Sequence, residues 1–205
     1  MRKIMALCLG LFMLKPAEAQ MYKGTETPAY SVESSLEGAE LRSYGPRLVA
    51  EVTVGGSRSG AANAGFRILA GYIFGANADA SKIAMTTPVA QVPDIPAGSP
   101  AVETGAAGAQ SWTVRFTMPS DRSLATLPPP DDPRIRLLEA PPERMLVLQF
   151  SGWPTDAALA EATVSLLAIA GRAGIKGRGE PEFLFYDSPF TLPWNRRNEV
   201  ALVLD

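Results

Sequence analysis

The chain has 205 residues, 46% hydrophobic and 20% charged, with 18 glycines, 18 prolines and a formal net charge of −2. That balance is too apolar for a disordered chain, is long enough for one domain with a sizeable core, and gives no general electrostatic drive toward nucleic acid or anionic membranes. Histidine is absent, which excludes Ser-His and Cys-His nucleophile pairs and any histidine-ligated metal.

Arg2 and Lys3 precede an apolar run, Ile4 to Leu14, and Ala17-Glu18-Ala19 follows in the pattern of a signal-peptidase site. The run is too short to span a bilayer. These features predict a signal peptide over residues 1–19 and an exported, periplasmic protein of residues 20–205 with no integral membrane segment after cleavage. Cys8, the only cysteine, lies inside the run, so the exported chain has no disulfide and depends on packing alone.

Residues 20–39 read as polar and irregular. Leu48, Ala50, Val52 and Val54 alternate with Glu51 and Thr53, the pattern of a half-buried strand. Gly55-Gly56-Ser57-Arg58-Ser59-Gly60 breaks it as a turn. Phe66, Leu69, Ala70 and Ile73 then recur at helical spacing, with a stop near Gly75 and Asn77. A short strand is expected over residues 83–92, and the Pro-, Gly- and Ala-rich residues 93–111 read as a mobile loop. Trp112, Val114, Phe116 and Met118 alternate as another strand.

The same order returns in the second half. Residues 135–139 and 144–151 read as strands. Thr155 can cap a helix whose stripe is Leu159, Ala162, Thr163, Leu166, Leu167 and Ala170. Gly174 is placed to end that helix, and residues 183–186 and 199–204 close the chain as strands. RLVAEVTVG (47–55) lies over RMLVLQFSG (144–152), and MTTPV (85–89) over YDSPF (186–190). The pattern predicts an α+β domain of two pseudo-repeats, about 40–120 and 135–205, forming a barrel-like antiparallel sheet flanked by two helices.

Catalytic chemistry is hard to place. The GGSRSG loop lacks the lysine and hydroxyl of a nucleotide-binding loop and reads as a turn with at most a weak anion seat at Ser57 and Ser59. The pairs Asp131/Asp132, Glu139/Glu143 and Glu180/Glu182 lack metal-loop spacing and read as solvated surface. What remains is aromatic and apolar: Tyr72, Met85, Trp112, Met118, Met145, Trp153, Tyr186 and Trp194 line a hydrophobic pocket or fill the core. Gly65 and Gly71 interrupt the first helix at a cost in stability, which makes room for a flat ligand or for close packing.

KIAMTTPVAQ (82–91) and YDSPFTLPWNRRNEVALVL (186–204) resemble the two signatures of the SOUL haem-binding protein family. FRILAGYIFGAN (66–77) sits where that family has its first helix, and ERMLVLQFSGWPTDA (143–157) resembles the strand-to-helix step of its second half. The resemblance covers about residues 28–204. It implies a duplicated, distorted antiparallel β-barrel with two helices, and a shallow hydrophobic surface beside the first helix that binds haem or another tetrapyrrole. Where a lysine is expected on that helix the chain has Gly71, with Arg67 nearby to meet a propionate, and the C-terminal turn reads Thr191-Leu192.

The resulting expectation is non-catalytic haem or tetrapyrrole binding by an exported carrier, buffer or scavenger. The implied haem-binding residues are Phe66, Arg67, Leu69, Ala70, Tyr72, Ile73 and Met85. Iron ligation, if any, falls to Met85, Tyr72 or Lys82, and no metal site is expected besides. The architecture also resembles bacterial effector-binding domains related to the gyrase-inhibitor family. The alternative is therefore a module for another lipophilic or cationic small molecule, which acidic residues facing the groove would favour.

Overall fold

The computed structural model describes residues 20–94 and 111–205. The expected signal peptide and all but the ends of the 93–111 loop lie outside the described residues; Pro93, Asp94 and Ser111 are strand.

Eleven strands and two helices follow in the order β1 (Gln20–Tyr22), β2 (Thr25–Thr27), β3 (Tyr30–Leu36), β4 (Ala39–Tyr44), β5 (Arg47–Gly55), α1 (Arg58–Ile73), β6 (Val89–Asp94), β7 (Ser111–Thr117), β8 (Arg136–Ala140), β9 (Glu143–Phe150), α2 (Asp156–Arg172), β10 (Glu182–Phe185) and β11 (Asn198–Val203). The three N-terminal strands occupy the segment that reads as irregular in the sequence. β3 has almost no buried side chain, so its hydrophobic pattern is blank, and backbone pairing to β4 alone defines it. The strand expected over residues 83–92 begins only at Val89.

β1 and β2 form a separate hairpin, and the other nine strands make one antiparallel sheet in the order β3-β4-β9-β11-β10-β6-β7-β5-β8. Apart from the extra edge strand β3, the order is symmetric about the β10–β6 pair. The units β5-α1-β6-β7 and β9-α2-β10-β11 repeat each other, as the overlaid segments predict. The strand preceding each unit pairs with the other unit: β4 joins β9, and β8 joins β5. This exchange ties the halves into one curled sheet that stays open between its edge strands β3 and β8.

Both helices pack on one face. On α1, Leu69, Tyr72 and Ile73 meet Ala50, Val52, Val114 and Phe116. On α2, Leu159, Leu166 and Ile169 meet Leu146, Phe183, Val200 and Leu202. The GGSRSG segment is the start of α1: Ser57 is its N-cap, its hydroxyl accepting from the Gly60 amide at 3.3 Å. Thr155 caps α2 in the same way, accepting from the Ala158 amide at 3.1 Å. The opposite, concave face carries the third cluster, built around Tyr44, Met145, Val147, Leu184, Tyr186 and Ala201.

Candidate binding site

The residues expected to form the ring-binding surface separate by depth. Leu69, Tyr72 and Ile73 are at most 1% exposed and belong to the core under α1. The Tyr72 hydroxyl donates to the Pro128 carbonyl at 3.0 Å, and burial raises its pKa. Met85 is half-buried against the same core. Leu69, Tyr72 and Ile73 lie at core depth under the helix, whereas Met85 keeps part of its surface open. Lys82 is exposed.

The outer side of α1 has a different character. Phe66 is 41% and Phe74 63% exposed. They stand eight residues apart, about 12 Å along the axis, with half-buried Ala70 and Gly71 between them and exposed Arg67 alongside. Phe66 is fixed by an edge contact with Phe116, ring centroids 5.5 Å apart. The outer side of α1 thus carries two exposed aromatic rings with small residues between them and one cation beside them.

The two helix glycines have different causes. A Cβ on Gly65 would lie 2.5 Å from Val114 Cγ2, so Gly65 is required for α1 to approach β7. A Cβ on Gly71 would meet only Ala76 Cβ, at 3.9 Å, so packing does not require it.

The concave face is lined with charge that sequence alternation assigns to solvent. Glu51 is buried and binds Arg115 at 3.0 Å and Arg136 at 2.6 Å. Glu182, read from the sequence as solvated surface, is 8% exposed, and its nearest cation is Arg115 at 3.9 Å. Burial raises its pKa, and Arg115 opposes the shift. The β1–β2 hairpin runs over this face. Tyr22 packs edge-on against Tyr186 at 5.4 Å and donates to Asp187 at 3.0 Å, and Lys23 binds Asp187 at 2.7 Å. Beneath lies a cavity of about 30 Å³ lined by Glu182, Arg47, Tyr44 and Met145, room for a water or two. Beside it opens a cleft of about 540 Å³ lined by Glu26, Pro28, Arg47, Leu48, Met118 and Glu139.

The remaining aromatic candidates also divide. Trp112, Met118, Met145 and Tyr186 are buried, whereas Trp153 is 53% and Trp194 70% exposed. Among the described residues no group of three or more Cys, Asp or Glu is placed to hold a metal, and no helix is long and apolar enough to cross a membrane.

Solved structures share the fold at low identity. The C-terminal domain of EcmrR superposes with a TM-score of 0.59 at 11% identity, covering 86% of this chain and 98% of that one. An uncharacterized conserved protein from Listeria innocua gives 0.61 at 11%, covering 83% and 93%. A protein from the same organism described as a hydrolase gives 0.54 at 12%, covering 84% and 94%. No curated protein matches the chain. The family model of the SOUL heme-binding protein matches residues 25–203, nearly the whole described fold, and the chain belongs to that family.

Proposed function

We propose that the protein binds haem or a related tetrapyrrole, without catalysis, on the outer side of α1, and that it acts as an exported carrier, buffer or scavenger. The observation that carries this reading is the pair Phe66 and Phe74 bracketing Ala70 and Gly71, a flat apolar seat about as long as a tetrapyrrole ring is wide. Family membership supports it. Arg67 is placed to meet a propionate. Leu69, Tyr72 and Ile73 act from beneath by keeping the helix in place. Burying about 400 Å² of ring at roughly 25 cal/mol/Å² gives about 10 kcal/mol before association costs, enough for micromolar affinity without an iron ligand. The Tyr72 hydroxyl is committed to Pro128, so iron chemistry is not asked of it.

The test is a titration of residues 20–205 with ferric haem, followed at the Soret band, and a parallel titration with iron-free protoporphyrin. Saturable one-to-one binding of both is expected. Binding of haem alone would shift the reading to ligation by Met85 or Lys82. Binding of neither would end it.

Glu26 and Glu139 favour a second reading, a lipophilic cation held in the cleft of about 540 Å³ that they line. Two carboxylates beside Pro28, Leu48 and Met118, with the Arg47 charge taken up by Glu143 at 2.6 Å, suit a cation in apolar surroundings. Saturable binding of methyltriphenylphosphonium that is lost in Glu26→Gln combined with Glu139→Gln, with tetrapyrrole binding unchanged, would establish this site separately from the first.

A further inference from the structure

Glu182 on β10 and Arg115 on β7 approach each other across the intervening strand β6 without meeting. Arg115 Nη1 stands 3.9 Å from Glu182 Oε1, too far for a hydrogen bond and within the span of a bridging water. The other two Arg115 nitrogens are taken, since Nε and Nη2 each lie 3.0 Å from Glu51 Oε2. Among the described residues no donor reaches the Glu182 carboxylate, and Arg115 is its nearest cation.

Both residues line the cavity of about 30 Å³ on the concave face, and two further polar groups on its wall have capacity to spare. Arg47 donates from Nη2 to Glu143 at 2.6 Å, while its buried Nη1 has no partner among the described residues. The Tyr44 hydroxyl accepts from Arg42 at 3.3 Å, and its own proton has no acceptor among the described residues. Unpaired polar groups are costly in an interior, and where several of them surround a small cavity an ordered water satisfies them.

Size and charge select that occupant. A cavity of about 30 Å³ admits one water or two and is roughly a tenth of the smallest pocket that takes an organic ligand. An anion would find no uncompensated positive charge, because Arg115 is paired with Glu51 and Arg47 with Glu143. A metal ion would meet one carboxylate beside two guanidinium groups, too few oxygen ligands to hold it. A water molecule accepts from Arg115 Nη1 and from Arg47 Nη1 or the Tyr44 hydroxyl, and donates to Glu182. Pro28, Arg47 and Thr117 line both this cavity and the cleft of about 540 Å³, so the wall they share is the path by which water enters.

We propose that the concave face holds a structural water between Glu182 and Arg115. The water extends the polar chain from Arg136 on β8, through Glu51 on β5 and Arg115 on β7, to Glu182 on β10. It thereby carries the ionic network of the first repeat across the midline of the sheet into the second.

The test pairs a high-resolution crystal structure of residues 20–205 with oxygen-17 relaxation dispersion, which counts waters held longer than the protein takes to tumble. Electron density for a water within hydrogen-bond distance of both Glu182 and Arg115 Nη1 is expected. Glu182→Met keeps the volume and removes the acceptor, and should lower the dispersion amplitude by about one water per chain. Glu182→Gln keeps an acceptor and should leave the amplitude unchanged. A dry cavity, direct contact between Glu182 and Arg115, or an ion identified there by anomalous scattering overturns the proposal. An amplitude that is the same in wild type and Glu182→Met overturns it as well. Should Glu182→Met fail to fold, the wild-type density decides alone.

Discussion

Arg42 on β4 and Glu199 on β11 meet across the intervening strand β9 in a buried ion pair, with Arg42 Nη1 3.0 Å from Glu199 Oε2 and Nη2 3.1 Å from Oε1. Arg197 adds a contact to Oε1 at 2.7 Å, and the Tyr186 hydroxyl donates to Oε2 at 2.8 Å. Burial disfavours the Arg42 charge, but Glu199 more than offsets it and its pKa is raised. Burial, joined by the Glu199 charge, pushes the Tyr186 phenol well above its usual range. Arg196 braces the loop and Asn198 Nδ2 donates to the Gly152 carbonyl at 3.0 Å. The Arg196–Val200 block therefore ties the second half of the sheet to β4.

Glu199→Gln should accordingly destabilise the fold by roughly 3–5 kcal/mol, because it leaves two guanidinium groups underpaired in the interior. Urea denaturation measures this loss directly. Its size should be nearly the same at low and high salt, since counterions do not reach a buried pair. A loss under 1 kcal/mol would place the block's role elsewhere.

The glycines of α1 predict opposite signs for one substitution. Gly65→Ala puts a methyl group 2.5 Å from Val114, and should cost about 1–3 kcal/mol through overpacking despite the better helix propensity of alanine. Gly71→Ala meets no such obstacle and should add up to about 1 kcal/mol. Thermal melts of the two variants side by side decide it, and a stabilised Gly65→Ala would mean that α1 can lift from β7 freely.

Glu182 sets the expected response to pH. Its native pKa is raised by burial above the ordinary value of 4.5, so the folded chain retains a proton that the unfolded chain has released. Stability should then fall as pH rises from about 4.5 through the raised native value, the reverse of a salt-bridged carboxylate. Glu182→Gln should raise the urea midpoint at pH 7 and leave it unchanged at pH 4. Equal midpoints at both values would show that Arg115 compensates the charge in full.

The repeat, the two helices and the central strands were legible in the sequence because each carries one buried face. β7 reads as a strand on Trp112, Val114 and Phe116 alone, and its burial alternates along its length. The concave face was not legible, because alternation assigns the second side of a strand to water. Glu51 and Glu182 sit on that side, buried with Arg115 between them, and nothing local announces the cover. The same limit blurred the candidate site. Periodicity gives Phe66, Leu69, Ala70 and Ile73 as the stripe of α1, whereas the helix buries Leu69 and Ile73 together with Tyr72 and leaves Phe66 exposed and Ala70 half-buried, because which apolar residues the packing leaves out depends on the sheet beneath. Phe74, the most exposed aromatic of the helix, was the available signal, an apolar residue off the core stripe.

That distinction yields the sharpest test of the ring-binding surface. Leu69 and Ala70 are neighbours in sequence, yet Leu69 is 0% exposed in the core and Ala70 lies on the outer side between Phe66 and Phe74. Leu69→Glu buries an unpaired carboxylate and should unfold the domain, so a loss of pigment binding there says nothing about the site. Ala70→Glu leaves its charge at the surface and should keep the melting curve within a few degrees. It also places a solvated carboxylate where the proposed ring would lie flat, next to Arg67, the proposed propionate partner. Tetrapyrrole affinity measured by Soret titration should drop at least tenfold in Ala70→Glu, and Phe74→Ser should weaken it through lost contact area. Unaltered affinity in both variants, with the fold intact, would move tetrapyrrole binding off α1 altogether.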